Sequence, residues 1–318
     1  MDSSADQIIK EILPFIRVYK DGRYEKLSGN DTVPAGVDPS SGVQSKDVVI
    51  LPDTPLSVRL YIPKPHNPTV NKLPLLIYFH GGGFIIESAA SPPYHRLLNL
   101  IAAESGAVVV SVDYRTAPEH PVPACFNDSW EAIKWVGQHV DGNGPESWLN
   151  ELADLGHVFF AGDSAGVTIA HHMAIRVGSS DSTRSVSLRG VILLHPFFWG
   201  KERVGSESGN TRATIVGDLW KIAHPGTSGE DDPLINPAMD PKVSDLGCSK
   251  VLVYVAENDI LKDRGYYYKD ILGKSGWRGD IEVIEDKGLG HVYFLYNPSV
   301  DASCTMRTRI CTFINDRA

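Results

Sequence analysis

The sequence has few cysteines, no long apolar run and no excess of positive charge. Its four cysteines, Cys125, Cys248, Cys304 and Cys311, form no CxxC pair and no Cys/His ligand run. That argues against a disulfide framework or a zinc site and fits free thiols in a reducing compartment. No segment approaches the roughly 18 consecutive apolar residues that a membrane span needs. Residues Met1 to Lys10 are polar and acidic, without the basic-then-apolar order of a secretory leader. The formal net charge of −9 disfavours nucleic acid or an anionic membrane as partner, since both select a basic face. These absences predict a soluble, cytoplasmic protein that acts on a small molecule. No repeat or low-complexity tract is present.

The 318 residues are 42% hydrophobic and 22% charged, ordinary values for a chain that builds one large core. From Leu73 onward, apolar strand-like runs alternate with helical periodicity. Strands are predicted at Leu73–His80, Ala107–Tyr114, Val158–Ala161, Leu188–His195, Val251–Ala256 and Asp280–Glu285. Helices are predicted at Pro93–Ser105, Phe126–Val140, Ala165–Val177, Asp263–Ser275 and Ala302–Ile314. Such alternation implies crossover connections and a mostly parallel sheet with helices on both faces. Two further strands are expected at Asp47–Leu51 and Leu56–Ile62. Residues 28–46, rich in Ser, Gly, Asp and Pro, read as irregular connection.

Two regions do not follow the alternation. Residues 5–19 space Ile8, Ile9, Ile12, Leu13, Ile16 and Val18 as a short amphipathic helix interrupted by Pro14. Residues 199–240 are polar loops around a helix near Thr211–Ala223. Functional groups of a parallel sheet lie at the carboxyl ends of its strands. The expectation is therefore a single domain over 1–318 whose segments 1–50 and 199–240 cap one site.

Two glycine motifs sit where strands end. Gly162-Asp163-Ser164-Ala165-Gly166 fits G-x-S-x-G between the Val158–Ala161 strand and the following helix. This tight turn projects a serine hydroxyl outward, and only glycines tolerate the crowding on either side. His80-Gly81-Gly82-Gly83-Phe84 closes the Leu73–Phe79 run. Its glycines, Gly81, Gly82 and Gly83, let backbone N–H groups reach a developing oxyanion, with the Ala165 N–H completing the hole. No P-loop lysine and serine follow, which removes a phosphate cradle. His80 reads as a brace of this loop.

A nucleophilic serine needs a base and a group to orient that base, in the chain order Ser, acid, His for this kind of elbow. His291, on the loop Gly288-Leu289-Gly290-His291 after the last strand, is the candidate base. For the acid, Glu257 and Asp259 both follow the Val251–Ala256 strand, and spacing leaves both open. Asp263 is expected to cap the next helix. Chemistry of this type requires no metal and no cofactor.

With these residues identified, the chain resembles the plant carboxylesterase family, in the hormone-sensitive-lipase-like branch of the α/β hydrolases. The resemblance runs from Leu13-Pro14-Phe15-Ile16 and Tyr19-Lys20-Asp21-Gly22-Arg23 to the C-terminal helix. It includes Tyr78–Phe84, Asp113-Tyr114-Arg115, Ala117-Pro118-Glu119, the Ser164 elbow, Asp259-Ile260-Leu261, Asp263-Arg264-Gly265, Ser275-Gly276-Trp277 and Gly290-His291-Val292. It implies an α/β-hydrolase fold and a carboxylic ester hydrolase acting on a small, fairly apolar ester of plant specialised metabolism. It also implies a triad of Ser164, His291 and Asp259, which places the acid on Asp259 rather than Glu257.

Relatives with other roles bound this reading. Gibberellin receptors lack the histidine that His291 supplies here. The 2-hydroxyisoflavanone dehydratases resemble the chain closely, including at Pro196-Phe197-Phe198-Trp199-Gly200. With the alkaloid cyclases they define an alternative, lyase-type reading; a small-molecule receptor is a minor one. Tuliposide-converting enzymes are similar around Ala90–His95. One departure is local: the family usually follows its elbow with Gly-Asn, where this chain has Val167-Thr168.

Overall fold

A computed structural model describes residues 6–54, 56–64, 72–179 and 186–316. Its centre is an eight-stranded sheet. In chain order the strands are β4 (Gln44–Leu51), β5 (Leu56–Ile62), β6 (Leu73–Phe79), β7 (Val108–Asp113), β8 (Ala153–Asp163), β9 (Leu188–Leu194), β10 (Lys250–Ala256) and β11 (Asp280–Asp286). Across the sheet they run β11-β10-β9-β8-β6-β7-β5-β4. The six strands from β11 to β7 are parallel, and β5 and β4 add antiparallel pairs at one edge.

Both faces are covered, which is why the inner parallel strands β6, β7, β9 and β10 are apolar along most of their length, whereas the edge strand β11 keeps polar residues between its apolar ones. Alternate residues of β6 divide between two cores. Leu75, Ile77 and Phe79 pack with helices α2 (Ala124–Gly137), α4 (Ala165–Gly178) and α6 (Lys262–Ser275). Leu76 and Tyr78 face α1 (Pro92–Ser105), the short α7 (Tyr293–Tyr296) and α8 (Asp301–Asn315). The predicted strands and helices of this layer are present with small shifts of their ends. β8 is the main exception: it starts at Ala153, straight after the unforeseen helix α3 (Ser147–Leu152). Polar Asp154, Gly156 and His157 conceal its first half from a hydrophobicity reading.

The N-terminal expectation was wrong. Residues 8–26 form no helix but a three-stranded antiparallel sheet, β1 (Ile8–Ile12), β2 (Ile16–Tyr19) and β3 (Tyr24–Lys26). The same isoleucines satisfy period two as well as a helical period, and Ile12 pairs with Ile16 across the turn at Pro14. Proline cannot sit inside a helix, and β-branched residues favour strands. Only Ile12 and Ile16 of these isoleucines are buried; Ile8 and Ile9 are exposed.

Residues 199–240 hold α5 (Ala213–Ala223) among turns and short 3₁₀ segments. A buried ion pair fastens this region to α6: Arg264 Nε donates to Glu207 Oε1 at 2.6 Å, and the guanidinium also reaches the Glu202 carbonyl at 2.6 Å. Both side chains are at most 2% exposed. Removing one partner strands a buried charge, at a cost of about 3–5 kcal/mol. Arg264→Leu should therefore lower the urea-unfolding free energy by about that amount. A loss below about 1 kcal/mol would show that the pair does not anchor the segment.

Candidate active site

The register of the sheet brings several strand ends to one edge. Phe79 of β6 lies beside Gly162 of β8, and Asp163 lies beside Leu194 of β9. Tyr254 of β10 is also beside Leu194, and Ala256 is beside Asp286 of β11. Every sequence-predicted site residue follows directly or shortly after one of these ends.

Ser164 sits in the turn between β8 and α4 with φ 50° and ψ −119°, a conformation L-residues rarely adopt. Packing enforces it. A Cβ on Gly166 would lie 2.0 Å from the Phe79 carbonyl oxygen, and one on Gly162 would lie 2.4 Å from the Gly166 backbone. Ser164 N–H donates to the Leu194 carbonyl at 2.9 Å. Val167, where the sequence departs from the family pattern, is fully buried. Thr168 donates its hydroxyl to the Phe197 carbonyl at 2.7 Å, tying α4 to the chain leaving β9.

His291 Nε2 lies 2.9 Å from Ser164 Oγ, and its Nδ1 lies 2.6 Å from Asp259 Oδ2. The Asp259 side chain is 2% exposed, whereas the His291 ring is 34% exposed, so the acid is shielded while the ring faces the cleft. Burial opposes ionisation of Asp259, but the His291 charge and hydrogen bond outweigh it and hold the carboxyl below its ordinary value. For His291 burial likewise disfavours the charged form, and the Asp259 charge and hydrogen bond overcome it, raising the imidazole.

Glu257, the rival acid, has other work. It accepts from the Gly288 N–H at 2.7 Å and braces the loop that carries His291. Asp263 does not cap α6 either; it accepts from the backbone and hydroxyl of Ser206, both at 2.6 Å.

The glycine loop divides its labour. The Gly81 N–H, expected among the oxyanion donors, is taken by Tyr94 Oη at 2.9 Å and Asp163 Oδ1 at 3.1 Å. The N–H groups of Gly82, Gly83 and Ala165 have no hydrogen-bond partner among the described residues. Gly82, at φ 91°, turns so tightly that a Cβ would meet the Ile86 carbonyl oxygen at 2.2 Å. His80 is buried and stacks on Tyr114 at 4.1 Å between ring centroids.

Two residues missed from the sequence complete the setting. Asp163 is fully buried and accepts from the hydroxyls of Tyr78 and Tyr94, both at 2.9 Å, as well as from Gly81. Burial pushes its carboxyl up to about 6 despite these donors. His195 has φ 55°, and its Nδ1 accepts the Val292 N–H at 2.8 Å, fixing the residue after His291. No motif marks it: a histidine before Pro196 at a strand end resembles any buried residue. Two donor sets among the described residues have metal-compatible spacing: His195, Asp259 and His291 within the site, and His171, His172 and Asp240 beside α4.

A narrow cavity of ≈ 80 Å³ opens on Ser164 and His291. Pro14, Phe15 and Ser28 of the N-terminal segment contribute to its wall, with Ile86, Leu295 and Tyr296. Phe15 and Leu219 of α5 both approach Gly83, within 3.1 and 3.8 Å of where its Cβ would be. The His291 imidazole should titrate by NMR above the ordinary value of 6.5, and its midpoint should fall in Asp259→Asn. A wild-type midpoint at or below the ordinary value would contradict the ion pair.

Comparison with known proteins agrees with this architecture. The family described as alpha/beta hydrolase fold matches residues 76–295. A hyperthermophilic esterase from the archaeon Pyrobaculum calidifontis superposes with TM-score 0.71 at 26% identity, covering 85% of each chain. Tuliposide A-converting enzyme 1, chloroplastic, of Tulipa gesneriana is 42% identical over 97% of this chain and 78% of its own length. Probable carboxylesterase 13 of Arabidopsis thaliana is 45% identical over 99% of both chains. Probable carboxylesterase 4 of the same plant, at 45% identity over 98% of this chain, is named as mitochondrial. Among the described residues, no helix is long and apolar enough to cross a membrane. Identity sustained over the full length, on the same fold, shows that the chain belongs to the plant carboxylesterase family of α/β hydrolases.

Proposed function

We propose that the protein hydrolyses carboxylic esters through a Ser164–His291–Asp259 triad. The observation that carries the reading is the unbroken relay of 2.9 Å from Ser164 Oγ to His291 Nε2 and 2.6 Å from His291 Nδ1 to Asp259. Ser164 Oγ attacks the ester carbonyl carbon while His291 Nε2 takes the hydroxyl proton. Asp259 keeps the Nδ1–H tautomer and stabilises the imidazolium. The carbonyl oxygen becomes an oxyanion received by the N–H groups of Gly82, Gly83 and Ala165, each worth on the order of 3 kcal/mol in such sites. Collapse breaks the ester C–O bond, and the alcohol leaves with the proton from His291. Water then attacks the acyl-serine with His291 again as base, releasing the acid and restoring Ser164.

The substrate is a small ester, fairly apolar in the part that meets the Phe15, Ile86 and Leu295 walls of the narrow cavity. Residues from the N-terminal segment and from 199–240 act as a cap over it. Lyase chemistry could use His291 and the glycine loop, but it would leave the aligned, strained Ser164 without a role.

With p-nitrophenyl butyrate, Ser164→Ala should abolish turnover. Asp259→Asn should lower kcat about 10⁴-fold, as expected when the wrong imidazole tautomer is held. Turnover that survives Ser164→Ala would overturn the mechanism.

A further inference from the structure

Two carboxylates line the cleft and a third, Asp259, lies behind His291; of the three, two are satisfied. Asp163 receives two phenol hydroxyls and the Gly81 N–H. Asp259 holds His291 and the Leu261 N–H. The remaining one, Glu87, lines the cavity with Ser164 and His291; among the described residues it has no ion-pair partner, and only the nearby Ser91 hydroxyl favours its charged form. Among the described residues, the cavity lining contains no lysine or arginine. Its one potential cation, His291, is already committed to Asp259.

Glu87 is also held in a costly position. Its φ is 73°, in the left-handed region that suits glycine, and its side chain is partly buried. Gly29 of the N-terminal segment presses on it so closely that a Cβ there would lie 2.6 Å from the Glu87 nitrogen and 3.2 Å from its carboxyl carbon. Gly82 confines it from the other side: a Cβ would lie 3.2 Å from Glu87 Cγ. Burial disfavours ionisation here, and the Ser91 hydroxyl offsets only part of that. Strain, partial burial and an unmatched charge all act against the fold at one residue of the cavity wall. Such positions persist where function needs them.

We propose that Glu87 sets substrate selection: it attracts a cationic group on the ester, accepts a hydrogen bond from a hydroxyl group, and repels esters that carry an anion. The inference rests on the reading of Ser164 and His291 as ester-hydrolysing machinery. Hydrolysis itself does not use Glu87, so its effect lies in the ratio between substrates.

The test compares acetate esters of similar size by pH-stat. The set is neutral 3,3-dimethylbutyl acetate, cationic acetylcholine and anionic O-acetylisethionate, with monoacetylglycerol set against propyl acetate for the hydroxyl. The wild type should favour acetylcholine over O-acetylisethionate in kcat/KM by about tenfold or more, the scale of one unit charge acting across a partly desolvated cleft. It should also favour monoacetylglycerol over propyl acetate. Glu87→Gln should collapse the charge preference, as should Glu87→Asn, whose side chain suits the left-handed backbone. Equal ratios in wild type and both variants would overturn the role of Glu87 while leaving the hydrolase reading intact. Failure to cleave the neutral acetates at all would overturn both.

Discussion

The site depends on the contact between the Ser164 turn and the end of the neighbouring strand. Gly166 lies against the Phe79 carbonyl with no room for a side chain, and this approach forces Ser164 into its left-handed conformation. Phe79 leads directly into His80 and the glycine loop, so one contact fixes the hydroxyl relative to the backbone donors. Asp163 reinforces it by bridging the turn to Gly81, Tyr78 and Tyr94. The energy to hold a strained serine comes from packing in the buried sheet, in line with the general rule that strain at sites is maintained by surroundings that over-determine it.

His291 approaches from the other half of the sheet, and its loop is restrained at several points. Glu257 accepts from Gly288, Asn258 N–H donates to the Leu289 carbonyl at 2.8 Å, and His195 accepts from Val292. Asp259 and His291 therefore meet through a loop whose backbone is held independently of their own hydrogen bond. Charge and position thus have separate sources: Asp259 tunes the imidazole, while Glu257 and His195 place it.

Much of this was legible in the sequence because it is written in local signals. Runs such as Leu73–Phe79 and Leu188–Leu194 are long, apolar and bounded by turns, so both the strands and their crossover connections followed. The elbow and the glycine loop are contiguous motifs with a steric reason for each glycine. What failed was ambiguous or non-local. Ile8, Ile12 and Ile16 fit two periods, and only pairing across Pro14 decides between them. Polar residues hide the first half of β8. Spacing alone left Asp259 and Glu257 open, because side-chain direction two residues apart is not encoded in it; the family resemblance, not the spacing, chose Asp259. That the Gly81 N–H is occupied depends on Tyr94 and Asp163, which come from distant parts of the chain. His195 and Glu87 gain meaning only from their neighbours in space.

Whether Ser164 is the nucleophile is decided by trapping it. The protein is treated with a fluorophosphonate and the modified residue is located by peptide mass spectrometry. One adduct per chain is expected, on Ser164, formed much more slowly in His291→Ala. An adduct elsewhere, or labelling of Ser164 at an unchanged rate without His291, would contradict it.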